Sequence, residues 1–381
     1  MHLLRRGAIA AALAATAALA LTAGPASAAS RRHGIFGGAA VFVQTDNLAG
    51  NSIVVYARGG NGTLAPVHTY ATGGLGGQLS TSVVDHLASQ GSLVYDSAHG
   101  LLYAVNAGSN TISVFAVLGT SLALRQVIPS GGSFPVSIAV SGDTVYVLNA
   151  LGGGTLAGFR VVPGGLVPIP GSGRALGLGT TPSSVFTETP GQVAFSPDGT
   201  QLIVTTKANG DDVDVWGVNP FGLLSQAPVV NSEPNTVPFA LTFTPAGWLA
   251  LAEAGPNAVA LFALGRDGTI QQLASVDTGE GATCWITGDG NTLFASDAGG
   301  PAVSTVQWSS WGPLTLAFNT TTGMGAVDST LSPDGRFLYV QTGGTGTIDE
   351  FAVGAGGALN PIGSQTVPAG AAVGGEGIAA S

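Results

Sequence analysis

The sequence predicts an all-β fold, a seven-bladed β-propeller of four-stranded antiparallel blades, and three observations predict it. One strand motif recurs seven times, a Gly-containing turn and an aliphatic residue follow most copies, and no segment of helical period longer than a turn or two competes. The recurrent strand is Ser52–Tyr56, Thr111–Phe115, Thr155–Phe159, Asp212–Trp216, Ala258–Phe262, Ala302–Val306 and Thr347–Phe351. Its last residue returns after 59, 44, 57, 46, 44 and 45 residues. Four strands in about 40 to 50 residues is the dimension of a propeller blade.

Taken in chain order, residues 1–28 read as a signal peptide: Arg5 and Arg6 form a basic n-region, Gly7–Leu21 is apolar, and Ala26-Ser27-Ala28 offers small residues for cleavage. Residues 29–39 read as a linker, and 40–381 as a single propeller domain. Each recurrent strand is preceded by a second apolar run, among them Leu102–Val105, Val145–Leu148, Leu202–Thr205, Leu293–Ser296 and Leu338–Gln341. Hairpin turns such as Ser196-Pro-Asp-Gly199 and Ser332-Pro-Asp-Gly335 precede those runs, Pro presetting φ and Gly accepting a positive one. The first unit begins at Ala40–Val43 without an innermost strand, whereas the tail Glu376–Ser381 looks like an innermost strand without a blade. The tail is therefore expected to complete the first blade, so that no ring edge is left unpaired.

Without residues 1–28 the chain carries 9 Lys and Arg against 21 Asp and Glu, a formal charge of −12. That surface excludes nucleic acid as a partner and has no polybasic cluster for a membrane, so a secreted monomer is expected. The single Cys284 excludes an internal disulfide, and stability must come from the core.

Function on a propeller sits where innermost strands begin and second strands end. The second-strand ends read Thr45, Asn106, Asn149, Thr206-Lys207, Glu253, Asp297 and Thr342. Charges are scarce in this chain, so Lys207, Glu253 and Asp297, in consecutive units, are the candidate catalytic residues; an ion pair would explain them equally well. Asn106, Asn149, Phe239, Trp285 and Asp328 are candidate ligand-binding residues, although Asn in such turns commonly bonds its own backbone. Cys284 reads as core filling, and His86, beside Asp85, is the one histidine placed to act as a base. No nucleophile elbow, P-loop, zinc motif or EF-hand loop occurs. Two carboxylates, Glu253 and Asp297, would admit Ca²⁺ but do not specify it, and no other cofactor is expected.

The runs Tyr103–Phe115, Phe195–Val204 and Leu331–Val340 resemble the lactonase-type seven-bladed propeller family, which includes 6-phosphogluconolactonases and carboxymuconate cyclases. The resemblance implies lactone chemistry, in which a base activates the nucleophile and cationic side chains stabilise the oxyanion. It also implies His after Pro at the start of innermost strands and Arg at the end of a second strand. Those positions here read Pro135-Val136, Pro238-Phe239 and Lys207. Two functions follow as expectations: a module that binds a small molecule, a glycan or an extracellular protein at the channel face, and a lactone hydrolase or cyclase with Lys207 as its electrophilic group.

Overall fold

A computed structural model of the protein describes residues 38–179, 185–309, 312–368 and 373–381. The signal-peptide reading and nearly all of the linker lie outside the described residues. The unit Phe36–Ser381 carries the propeller. Its strands form seven sheets. Blade 2 runs outward from the channel as Leu93–Asp96, Leu101–Asn106, Thr111–Leu118 and Ser121–Pro129. Blades 4 to 7 repeat that plan from Gln192–Phe195, Pro238–Phe243, Thr283–Asp289 and Ala326–Leu331. Blade 3, starting at Pro135–Ser141, splits its outer edge between Gly165–Pro168 and Arg174–Ala175.

Burial explains the strand sequences. Second strands such as Leu101–Asn106 and Phe337–Thr342 are buried on both faces, because each blade packs against two neighbours, and so they read as continuous apolar runs. Outer strands such as Leu64–Ala71 are mostly exposed and mix polar with apolar residues. The predicted turns form as expected: Gly199 N–H donates to the Ser196 carbonyl at 2.8 Å with φ of 69°. Among the described residues no helix is long and apolar enough to cross a membrane.

The ring closes through the tail. Ile378–Ala380 pairs antiparallel with Ala40–Gln44, matching Val43 with Ile378 and Val41 with Ala380. Flanking bonds from Gln44 N to Gly377 O at 2.8 Å and from Ser381 N to Ala40 O at 2.9 Å extend the joint. Ala379 and Ile378 are buried there against Phe42 and Val43 respectively, so closure adds apolar burial to the ladder bonds.

The channel is occupied by the connection between blades 1 and 2. Residues 79–92 of this plug bond to blades 2 to 6 and to the closure, and pack against blade 7. Ser137 Oγ donates to Gln90 O at 2.6 Å, and Ile138 N donates to Gly91 O at 2.8 Å, which covers blade 3. On blade 4, Gln90 N donates to Gly191 O at 3.1 Å. The Gln90 amide spans the channel, donating to Leu241 O at 3.4 Å on blade 5 and to Ile286 O at 3.0 Å on blade 6, while accepting from Ile286 N at 2.8 Å. Trp285 Nε1 donates to Ser89 O at 2.5 Å. Ser89 N and Oγ both donate to Glu376 at the closure, at 3.0 and 2.8 Å. Val105 N on blade 2 donates to Ser92 O, and on blade 7 Val84 O lies so close to Gly343 that a Cβ there would meet it at 1.6 Å. These bonds satisfy much of the polar backbone that the plug buries.

Candidate functional site

Innermost strands share one irregularity that shapes the channel face. In blades 3, 5 and 6 the register slips by one residue just after the strand begins, leaving Val136, Phe239 and Cys284 without a ladder partner. Blade 7 leaves Val327 and Asp328 so. A bulge re-aims its side chain, and these are all buried, Phe239 and Cys284 at a cavity. Val136 and Phe239 are the residues standing where the resemblance implies histidine, so the ring keeps the placement and has apolar groups in it.

A cavity of about 490 Å³ opens on this face beside blades 4 to 6. The plug supplies Val84 and Asp85, the long blade 3–4 connection supplies Phe186 and Thr187, and blade 4 supplies Lys207 and Ala208. Blades 5 and 6 add Val237, Phe239, Ala254, Ala282, Cys284, Ala298 and Gly299.

Lys207 is fully buried and left-handed, with φ of 54°. Its Nζ donates to Ala88 O at 2.7 Å, Phe186 O at 2.5 Å and Thr189 Oγ1 at 3.2 Å, which engages all three ammonium protons. It also stands 5.1 Å from the Phe239 ring centroid, within cation–π range. Burial lowers its pKa, opposed by the charges of Asp85, Glu376 and Cys284. Asp85 moves the other way: burial raises its carboxyl, opposed by Lys207. Burial pushes the Cys284 thiol up as well.

The structure gathers only some of the candidates at the cavity. Lys207 and Phe239 line it, as does Cys284, whereas Glu253 and Asp297 do not. Glu253 is buried at the end of its strand, where burial and the nearby charge of Glu233 push its carboxyl up to about 7. Asp297 accepts from Thr283 Oγ1 at 2.6 Å and Ser304 Oγ at 2.8 Å, and burial outweighs those bonds to hold it at about 6. Asn106 Nδ2 donates to Ser113 Oγ at 2.8 Å and Thr111 Oγ1 at 3.1 Å, and Asn149 Nδ2 to Ser130 O and Thr155 O at 3.4 Å, the bonds expected of turn-fixing amides. Trp285 lies behind Phe239, ring centroids 4.6 Å apart, and holds the plug through its N–H. Asp328 accepts from Ser329 N at 2.9 Å near the channel axis, and burial pushes it up to about 7.

Two ionisable residues at the channel were not among the sequence candidates, Asp85 and Glu376. For Asp85 the signal was the repeat spacing: the intervals of 59 and 57 residues mark the two overlong connections that deliver Asp85 and Phe186 to the cavity. His86 donates its backbone N–H to Gly374 O at 2.7 Å, and its half-buried ring does not line the cavity; burial lowers its pKa. Among the described residues no group of three His, Cys, Asp or Glu side chains is placed to hold a metal ion.

Comparison with solved structures supports the fold. A putative 6-phosphogluconolactonase of Bacteroides uniformis superposes with a TM-score of 0.73 at 21% identity, over 90% of this chain and 99% of that one. A second, of Bacteroides fragilis, gives 0.72 at 19% identity over 91% and 98%. The periplasmic gluconolactonase of Pseudomonas aeruginosa gives 0.69 at 18% identity over 90% and 98%. No curated protein sequence matches significantly. The family model "Lactonase, 7-bladed beta-propeller" matches residues 93–371, all seven blades are present, and the chain belongs to that lactonase-type seven-bladed propeller family.

Proposed function

We propose that this protein binds a small molecule in the channel-face cavity and that binding, rather than lactone hydrolysis, is its function. One observation carries the reading: the ammonium of Lys207, the cation lining the cavity, has its three protons engaged by Ala88, Phe186 and Thr189. An oxyanion needs preorganised donors aimed at it, and these donors hold the plug instead. Export from the cytoplasm is part of the same proposal, supported by the apolar segment after Arg5-Arg6.

Lactone hydrolysis is the second reading. Family membership favours it, together with Asp85, the carboxyl group on the cavity wall, which would serve as base in place of Glu253 or Asp297. A panel of lactones assayed with wild type and Asp85→Asn separates the two. Ligand-induced thermal stabilisation without turnover is the expected result. Turnover that Asp85→Asn removes, with the melting transition intact, would overturn the binding reading.

A further inference from the structure

We infer that the ligand of this cavity is an uncharged, mainly apolar molecule anchored by one hydrogen bond to Asp85, and that anionic and polyhydroxylated sugars are excluded. This rests on the cavity being the ligand site and adds the chemical class.

Walls come first. Val84, Phe186, Val237 and Phe239 present large apolar surfaces, and alanines fill much of the remainder. Polar capacity is scarce. Lys207 has its protons engaged, and Thr187 already has a partner. Asp85 is buried, 7% exposed, and among the described residues no side chain is seen to donate to its carboxyl. It is therefore the polar anchor facing the cavity with unused capacity, and either of its protonation states can serve one: the acid donates to a carbonyl, the carboxylate accepts from a hydroxyl.

Charge excludes the alternatives. A phosphate or carboxylate placed here would face Asp85, with Glu376 behind it, and would find no free cation. A sugar lactone would bring several hydroxyls to walls able to answer one of them. Each unanswered group weakens binding by roughly tenfold.

The test is calorimetric titration of the full purified protein with three probes. These are γ-nonalactone (neutral, apolar, one carbonyl), glucono-δ-lactone (neutral, polyhydroxylated) and 6-phosphogluconate (anionic). γ-Nonalactone should bind at least tenfold more tightly than either sugar. Ala298→Phe, which fills the cavity, should weaken it by at least about tenfold; Ala254→Leu serves if that variant melts early. Asp85→Leu should weaken γ-nonalactone, and Asp85→Asn, which keeps a donor, should restore it. A sugar probe that binds best and is lost in Ala298→Phe overturns the class while leaving the site. γ-Nonalactone binding untouched by both filling variants, or no binding by any probe, overturns the site and the class together.

Discussion

Lys207 on blade 4 donates a 2.7 Å hydrogen bond to the carbonyl of Ala88, 119 residues earlier in the chain, and so ties the ring to the segment that fills its channel. The bond joins two of the features that shape the cavity, the plug and blade 4. Lys207→Ala should cost about 3 kcal/mol or more, since three buried acceptors lose their donor. Lys207→Met, which keeps the stem's packing, should cost less than Lys207→Ala. Denaturant melts of the two variants check this, and equal costs would show that the packing of the stem contributes nothing and the ammonium's hydrogen bonds alone hold the plug.

Removing residues 376–381 should open the ring. The variant loses the innermost strand of blade 1 and the Glu376 carboxyl that receives Ser89. A melting temperature more than about 10 °C lower is expected, or no cooperative melt at all. A shift of only a degree or two would show that Ile378–Ala380 contributes little.

Stability should fall as pH rises from 4.5 toward 8, the reverse of ordinary acid sensitivity. Burial raises Asp46, Asp328 and Glu253 to about 7, from ordinary values of 3.8, 3.8 and 4.5. Between those limits the folded state holds more protons than the unfolded chain, so the stabilisation is complete below about 4 and lost as pH climbs through about 7. Lys207, shifted downward, has the opposite effect and should restore some stability at higher alkalinity. Exposed Asp198 and Asp334 also oppose the trend, but solvent screens them. Calorimetric melting across pH 4.5–9 reads the slope, and a melting temperature that rises from 5 to 8 would contradict it. Glu376→Gln should flatten the slope, because that carboxyl is fully buried with Oε2 unpartnered and burial raises it well above its ordinary range.

Gly343→Ala should unseat the plug from blade 7. The added Cβ would meet the Val84 carbonyl oxygen at 1.6 Å, a clash with backbone that no rotamer relieves. Loss of about 2 kcal/mol or more is expected, with faster proteolytic nicking within residues 79–92. Nicking at the wild-type rate would mean that the segment is held from the other blades alone.

The architecture was legible because it repeats. One strand seen seven times outweighs the ambiguity of any single apolar run, and the unmatched halves at Ala40 and Glu376 announced each other. The second-strand ends were equally visible as a set. Their roles were not, because Asn106, Asn149 and Asp297 take their partners from neighbouring loops and strands at distances that the repeat pattern does not encode. Asp85 was harder still. It lies in an insertion outside the repeat, and Lys207, the charge that opposes its burial, is more than a hundred residues away.

The channel plug also bears on how the molecule comes apart. Arrays of similar units ordinarily lose them piecemeal, each unit depending on its neighbours alone. Here one short stretch bonds to blades 2 to 6 and packs against blade 7, and its seat on Glu376 lies beside the strand that closes the ring. Ring closure and plug seating are then one event, and unfolding should be all-or-none across a chain far longer than a single repeat.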